Sequence, residues 1–302
     1  MGVKPLVVAR TGITRLRRLV GRSVFADLAS IGIRALEALG ARRITRVYLP
    51  EPAPDATRTV EFGLLELDDG SAGLYYAWLG PGQQDMPHRF PPEALVGRDP
   101  MELIAAYATG DDAERSLAMA GMNAVTASVW RASGYVPPMR ASSFGLNLVS
   151  GDTLGMVGHF PPLVRQAREL GVPVYVLERK VSMVNRGEGF EITLDPGVLG
   201  QCNKVVCTAA TLLNNSLEEA LGHCVLDATV SVVGPTASFF PEPLFARGVS
   251  AVGGVHLVDV DAVLRGLRMG ESFGDTVSRY LLTPENYPGT EFLLQRAKKR
   301  GT

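Results

Sequence analysis

The chain is poor in several features that usually point to a function. Only three cysteines, Cys202, Cys207 and Cys224, occur in 302 residues. An odd number in a chain too large to need stapling predicts reduced thiols and a cytoplasmic setting. Neither Cys202 with Cys207 nor the pair His223-Cys224 has the C-x-x-C spacing of a structural zinc site. Cys207 falls within an apolar stretch, where a thiol serves as a small hydrophobe, and His223 at a helix end complements the dipole. No apolar run approaches the roughly eighteen residues of a membrane span. The formal net charge is −1, from 30 basic and 31 acidic side chains, so nothing draws the whole chain to nucleic acid. Arg10, Arg15, Arg17, Arg18 and Arg22 gather ahead of the first acid, Asp27. With no signal-type apolar segment or cleavage site after them, they read as a solvated helix face rather than a targeting peptide or a phosphate-binding arm. A Walker loop with its lysine, a Gly-x-Ser-x-Gly elbow and a His-Glu-x-x-His pair are all missing, which removes the usual support for phosphoryl transfer, serine hydrolysis and zinc proteolysis. There is no internal repeat and no low-complexity tract.

What is present divides into two kinds of pattern. In the first half, Leu28, Ile31, Leu36 and Leu39 recur at helical spacing over 24–39, with Gly40 as a stop. Strand-like runs at 43–49, 59–67 and 74–79 follow, the last two joined by Asp68-Asp69-Gly70-Ser71, a hairpin signal. After a polar, proline-rich passage from Gly80 to Pro92, helices are predicted over 101–109 and 112–132. This half reads as α+β. From Gly151 strands and helices alternate: strands at 153–157, 172–178, 204–208, 225–233 and 250–254, helices at 160–170, 214–222 and 259–268. That is the pattern of a parallel sheet with crossovers, an α/β domain. Gly134 to Met139, broken by Pro137 and Pro138, is the best linker.

In such a sheet ligands lie beyond the carboxyl ends of the strands, so the loops leaving them hold the candidates. The first is Gly155-Met156-Val157-Gly158-His159, a two-glycine turn running from strand into helix. Glycine allows the close approach of a ligand, and the first N–H groups of a helix favour an anion. Gly-x-x-Gly is short of the full dinucleotide fingerprint, and a plain tight turn explains it equally well. His159 stands at that edge as a metal ligand, an anion contact, a general acid/base or none of these. Glu178 ends the second strand twenty residues after Gly158, about the offset at which an acid holds a ribose hydroxyl pair. Arg179 and Lys180 beside it could instead meet a phosphate, and a bare strand end remains an alternative. The third loop collects Thr208, Thr211, Asn214, Asn215 and Ser216. One of the last three suffices as a helix cap, which leaves Thr208 and Thr211 for ligand contact. The fourth, Gly234-Pro235-Thr236-Ala237-Ser238, offers another glycine and two hydroxyls.

Gly155-Met156-Val157-Gly158 with Phe160-Pro161-Pro162, the loop from Thr208 to Leu217, Gly234-Pro235-Thr236, and Pro243-Leu244-Phe245 with Gly248 resemble, in order and spacing, a family described only as "putative heavy-metal chelation". The hairpin around Asp69-Gly70 and the segment Gly121-Met122-Asn123-Ala124 resemble its N-terminal half, so the likeness runs over most of 24–270. Two stretches depart from the family: Cys207 to Thr211 lacks a glycine between its threonines, and 181–200 is an unusual connection. The resemblance implies a Rossmann-like parallel-sheet domain preceded by an α+β domain similar to the amino-terminal domain of enolase. The domains would then be 1–136, enolase N-terminal-like; 137–272, Rossmann-like and ligand-binding; and 273–302, a C-terminal extension.

It also implies a ligand or metal in the cleft between the domains. On this reading Gly155, Gly158 and His159 hold the anionic part of a small molecule or metal complex. Thr208, Thr211, Asn214, Gly234 and Thr236 orient the rest, Asn123 closes the site from the N-terminal domain, and His159 is the first metal ligand. Two other readings stay open: a Rossmann-type enzyme using an adenine-containing cofactor with Glu178 on the ribose, and a non-catalytic interaction or regulatory protein, which a fully occluded cleft would favour. The cofactor is accordingly a transition-metal ion or an adenine-containing nucleotide. The expected partner is a small-molecule or metal ligand, with neither nucleic acid nor membrane, and homo-oligomer formation is left open.

Overall fold

The computed structural model describes residues 22–50, 62–77, 85–139 and 144–301. Arg10, Arg15, Arg17 and Arg18, the strand positions 59–61 and 78–79, and the start of the polar passage at 80–84 lie outside the described residues.

Helix α1 (Val24–Leu39) starts where the Ser23 hydroxyl accepts the Ala26 N–H and stops at Gly40, whose φ is +79°. Its inward face, including Leu28, Ile31 and Leu36, is buried, as the spacing requires. Strands β1 (Ile44–Tyr48), β2 (Phe62–Leu67) and β3 (Ala72–Tyr76) form an antiparallel sheet in that order. The β2–β3 turn is held by the Ser71 N–H donating to Asp69 Oδ1 at 2.9 Å. Two short helical turns, Met86–Arg89 and Pro92–Leu95, interrupt the polar passage before α2 (Met101–Ala106) and the long α3 (Asp112–Ser133). Asp111 and Glu114 make a reciprocal capping box at the start of α3, and Gly134 ends it in the left-handed region, as helix-end chemistry favours.

Small residues along α3 let β3 lie directly on it: a Cβ at Gly73 would stand 2.2 Å from the Ala120 carbonyl oxygen. Leu65, Leu67 and Tyr75 face these helices. Leu64 and Leu74 point the other way and pack with Val255, Val263 and Leu267 of the second half. The small sheet is therefore covered on both faces.

The second half is an eight-stranded sheet in the order β11-β10-β9-β8-β4-β5-β7-β6. Its strands are β4 (Leu154–Val157), β5 (Val174–Leu177), β6 (Asn185–Gly187), β7 (Phe190–Thr193), β8 (Lys204–Thr208), β9 (Thr229–Val233), β10 (Ala251–Leu257) and β11 (Val277–Leu282). The strands from β10 across to β7 run parallel, and β6 and β11 add antiparallel edges. The expected parallel sheet is present, with two hairpin edges the alternation did not announce. Helices α4 (Pro161–Glu169) and α6 (Val260–Met269) cover one face. The short 3₁₀ helix Pro196–Gln201 and α5 (Leu217–His223) cover the other, in a core continuous with α1 and α3. The last helix, α7 (Thr290–Gly301), packs on α3 and α1. No helix among the described residues is long and apolar enough to cross a membrane.

Candidate functional site at the strand ends

From β4 the chain adds β5 and then β7 on one side, and then returns to place β8, β9 and β10 on the other. The order reverses between β4 and β8, and in open α/β sheets this is where connections diverge and leave a crevice at the carboxyl ends. Gly158 sits at that point with φ +86°. A Cβ there would be strained and would lie 3.0 Å from Thr208 Cγ2, so bare backbone at the end of β4 abuts the end of β8. On the other side the Gly158 N–H donates to the Leu177 carbonyl at 3.1 Å, which brings Glu178 alongside. Glu178 is half-buried, and its N–H is held by the Thr193 carbonyl at 2.9 Å. Beyond β8, Gly234 (φ +134°) lies beside Ala209, 4.0 Å from its backbone nitrogen to a Cβ built at the glycine. Glu178, Gly158, Thr208 and Gly234 thus form a row along four neighbouring strand ends.

The other sequence-predicted residues stand apart from this row or are committed elsewhere, and within the row the Thr208 hydroxyl is already engaged. Gly155 is buried inside β4, where a Cβ would come 3.0 Å from Leu199 and 3.1 Å from Cys202. Its smallness serves packing against the 3₁₀ helix. The exposed His159 turns its ring toward Phe190 on β7, at 6.5 Å between centroids, on the side of β4 away from β8. Thr208 Oγ1 accepts the Ala210 N–H at 3.3 Å, and the Thr211 hydroxyl donates to the Thr208 carbonyl at 2.7 Å, so both hydroxyls shape the loop. Asn214 Oδ1 accepts from the Ser216 hydroxyl at 2.6 Å, and the start of α5 has no side-chain cap. The residue preceding α5 is helical rather than extended, which explains why the expected cap does not form.

Thr236 and Asn123 join the two halves of the molecule. The Thr236 hydroxyl oxygen accepts the Tyr76 N–H at 2.9 Å, and Asn123 Nδ2 donates to the carbonyls of Leu74 at 2.7 Å and Thr236 at 2.9 Å. The buried Asn123 Oδ1 has no hydrogen-bond partner among the described residues. Tyr107 adds a second tie, its hydroxyl donating to the Leu212 carbonyl at 2.8 Å. The N-terminal half therefore closes over the β8 and β9 loops at 209–213 and 236–240, which are buried, while the ends of β4 and β5 remain half-exposed or exposed.

The anion-binding helix start expected after the glycine turn does not form. The start of α4 has no N–H to offer an anion, because Pro161 and Pro162 lack the group and Leu163 and Val164 donate to the Phe160 carbonyl at 3.0 and 3.1 Å. Among the described residues no group of three or more His, Cys, Asp or Glu side chains could hold a metal ion. The three cysteines are buried thiols, and burial pushes the Cys202 thiol up to about 12. Sequence reasoning passed over His256, half-buried near the end of β10 with a pKa lowered by burial. It also passed over Arg247, which carries no motif and whose importance appears only from its partners in the fold.

Fold and strand order define an α/β protein with a doubly wound, Rossmann-like sheet joined to an α+β unit. Residues 140–283 match the model of the DUF364 family, described as "Putative heavy-metal chelation", so this segment is similar to that family. An uncharacterized protein of Methanocaldococcus jannaschii is 27% identical over 183 residues, covering 59% of this chain and 68% of that protein. A DUF364 protein of unknown function from Pyrococcus horikoshii is similar in structure, with a TM-score of 0.62 and 20% identity, covering 85% of this chain and 99% of that one. One from Desulfitobacterium hafniense has a TM-score of 0.58 and 17% identity, covering 86% and 99%. At these identities the likeness establishes the fold.

Proposed function

We propose that this protein binds a small organic molecule, or a metal ion carried in such a molecule's complex, at the ends of β5, β4 and β8. The observation that carries the reading is Gly158: its backbone lies in the left-handed region, with φ +86°, and is half-exposed at the reversal of strand order. A heavy-metal role fits a complex better than a naked ion, since no group of three potential ligands gathers among the described residues. A metal arriving with its own ligands needs few protein donors, and we assign that role to the exposed His159, which follows Gly158 and would have to turn its ring away from Phe190 to reach the row.

A second reading, a Rossmann-type enzyme using an adenine-containing cofactor, is supported by a different observation, the position of Glu178 beside Gly158. It predicts that Glu178→Ala weakens nucleotide binding. The test of the first reading is the metal content of freshly purified protein, its uptake of Zn²⁺, Ni²⁺ and Cu²⁺ on titration, and mass spectrometry of small molecules released on denaturation. A released organic molecule, with or without metal, is the expected result. Protein that yields no organic molecule and takes up no metal refutes it.

A further inference from the structure

The row of strand ends offers one kind of polar group and withholds another, and the difference specifies a ligand class. Glu178 is fixed by its own N–H bond to Thr193, and its half-buried carboxylate accepts only the adjacent Arg179 N–H, at 3.2 Å, among the described residues. No cation pairs with it there, so both oxygens keep lone pairs for a ligand. A carboxylate accepts two hydroxyl protons side by side, and at the end of the strand next to the switch point that geometry suits the vicinal hydroxyls of a ribose. The Gly158 backbone beside it lets a sugar approach closely. The ends of β5 and β8 flank β4 and stand roughly 10 Å apart, a span of nucleoside size.

The diphosphate that normally accompanies such a ribose has no counterpart. A dinucleotide places it on the free N–H groups of the helix that follows the glycine turn. Here the first two are prolines and the next two amides are bonded to Phe160. From these observations we infer that the crevice takes a ribonucleoside through its 2′,3′-diol, with no diphosphate held at α4. The inference rests on the reading of the strand-end row as a binding site and names its occupant.

Calorimetric titration of the whole protein with adenosine, guanosine, cytidine and uridine, and then with the 2′-deoxy, 2′-phospho and 5′-diphospho forms of the tightest binder, tests it. At least one ribonucleoside binds at or below about 1 mM, and its 2′-deoxy form binds roughly tenfold more weakly. The 5′-diphosphate brings no more than about a threefold gain. Glu178→Gln, which keeps the size of the side chain, loses roughly tenfold while the melting temperature stays put. Equal binding of ribose and deoxyribose forms, or an unchanged Glu178→Gln, overturns the inference. So does a diphosphate that binds about tenfold tighter. A tighter 2′-phosphate would assign the site to Arg179 instead and also overturn it. If no nucleoside binds while another molecule is released from purified protein, this inference fails and the strand-end site survives.

Discussion

Arg247 is only 7% exposed, yet it satisfies four acceptors from three parts of the chain. Its guanidinium donates to Glu218 at 2.9 Å, the Pro243 carbonyl at 2.7 Å, the Arg22 carbonyl at 2.6 Å and Asp27 at 2.9 Å. Glu218 also accepts the Val24 N–H at 3.1 Å, so the start of α1 is fastened to the second half of the molecule through one fork of donors. Arg247→Met is expected to cost about 2–3 kcal/mol in urea denaturation, below the range for fully buried pairs because the orphaned carboxylates regain water. Arg247→Lys should rescue little, since a single ammonium cannot span four acceptors. A loss under about 0.5 kcal/mol, the size of an ordinary surface substitution, would remove Arg247 from this role.

Cys202 gives a residue-level prediction in pH. Its thiol donates to the Val198 carbonyl at 3.4 Å, and burial raises it from its ordinary 9.0 to about 12. The unfolded thiol ionises first, so the stabilisation is fully present below pH 9 and is lost as pH rises from there toward about 12. Denaturation midpoints should fall over that window in the wild type and fall less steeply in Cys202→Ala. Parallel curves would contradict the assignment.

At the scale of elements, β4 and β8 are tied at their starts by a polar knot. Asn203 Nδ2 donates to Asp152 Oδ1 at 2.8 Å, its Oδ1 accepts the Thr153 N–H at 2.8 Å, and Asp152 Oδ2 accepts the Val149 N–H at 2.8 Å. This knot sets the register of the two strands whose opposite ends carry Gly158 and Thr208. Asn203→Ala should cost about 1–2 kcal/mol, read from urea midpoints, by leaving these groups unpaired. No measurable loss would mean that the ladder alone fixes the register.

Elements with strong periodicity were legible in the sequence. The helices α1 and α3, the β2–β3 turn and the central parallel strands all lie within a few residues of their expected positions. The β6–β7 hairpin was not, since β6 is three exposed residues with no alternation to read. Nor was β11, which gains its place by pairing with β10 rather than by local pattern. At the candidate site, Gly158, Glu178, Thr208 and Gly234 could be chosen because strand ends can be located from sequence. Whether a hydroxyl faces a ligand or the chain's own backbone could not, because Thr211 turns back on the Thr208 carbonyl in its own loop and Thr236 accepts a Tyr76 N–H that only the fold brings to it. Pro161 and Pro162 carry their consequence openly, since residues without an N–H cannot cradle an anion wherever they fold.

On the scale of the whole molecule, the two halves share one interior. A single buried cluster runs from α1 and α3 through α5 to β8 and β9, and a smaller one joins β2 and β3 to β10 and α6. Arg46 bridges the halves at the surface, pairing with Asp261 at 2.8 Å while it holds Glu66. The C-terminal residues belong to this construction. Thr290 at the start of α7 is held by the Glu242 carboxylate, and Arg300 donates to the Ser133 carbonyl at the end of α3. With the β8 and β9 loops covered by the N-terminal half, what stays accessible of these strand ends is the ends of β5 and β4 and the edge of β8.

Among these accessible strand ends, Gly158 is the sharpest point of attack for the proposed site. A methyl group there would stand against Thr208 and fill the bare backbone, at a cost in stability of about 1–2 kcal/mol. For a chain of this size that lowers the melting temperature by a few degrees and leaves it folded. Native mass spectrometry of the freshly purified 302-residue chain, run beside its Gly158→Ala variant, is the direct test. The wild type should carry a discrete added mass that disappears on denaturation, and the folded variant should lack it. The same bare mass in both proteins, or the same adduct in both, would contradict a binding site at these strand ends.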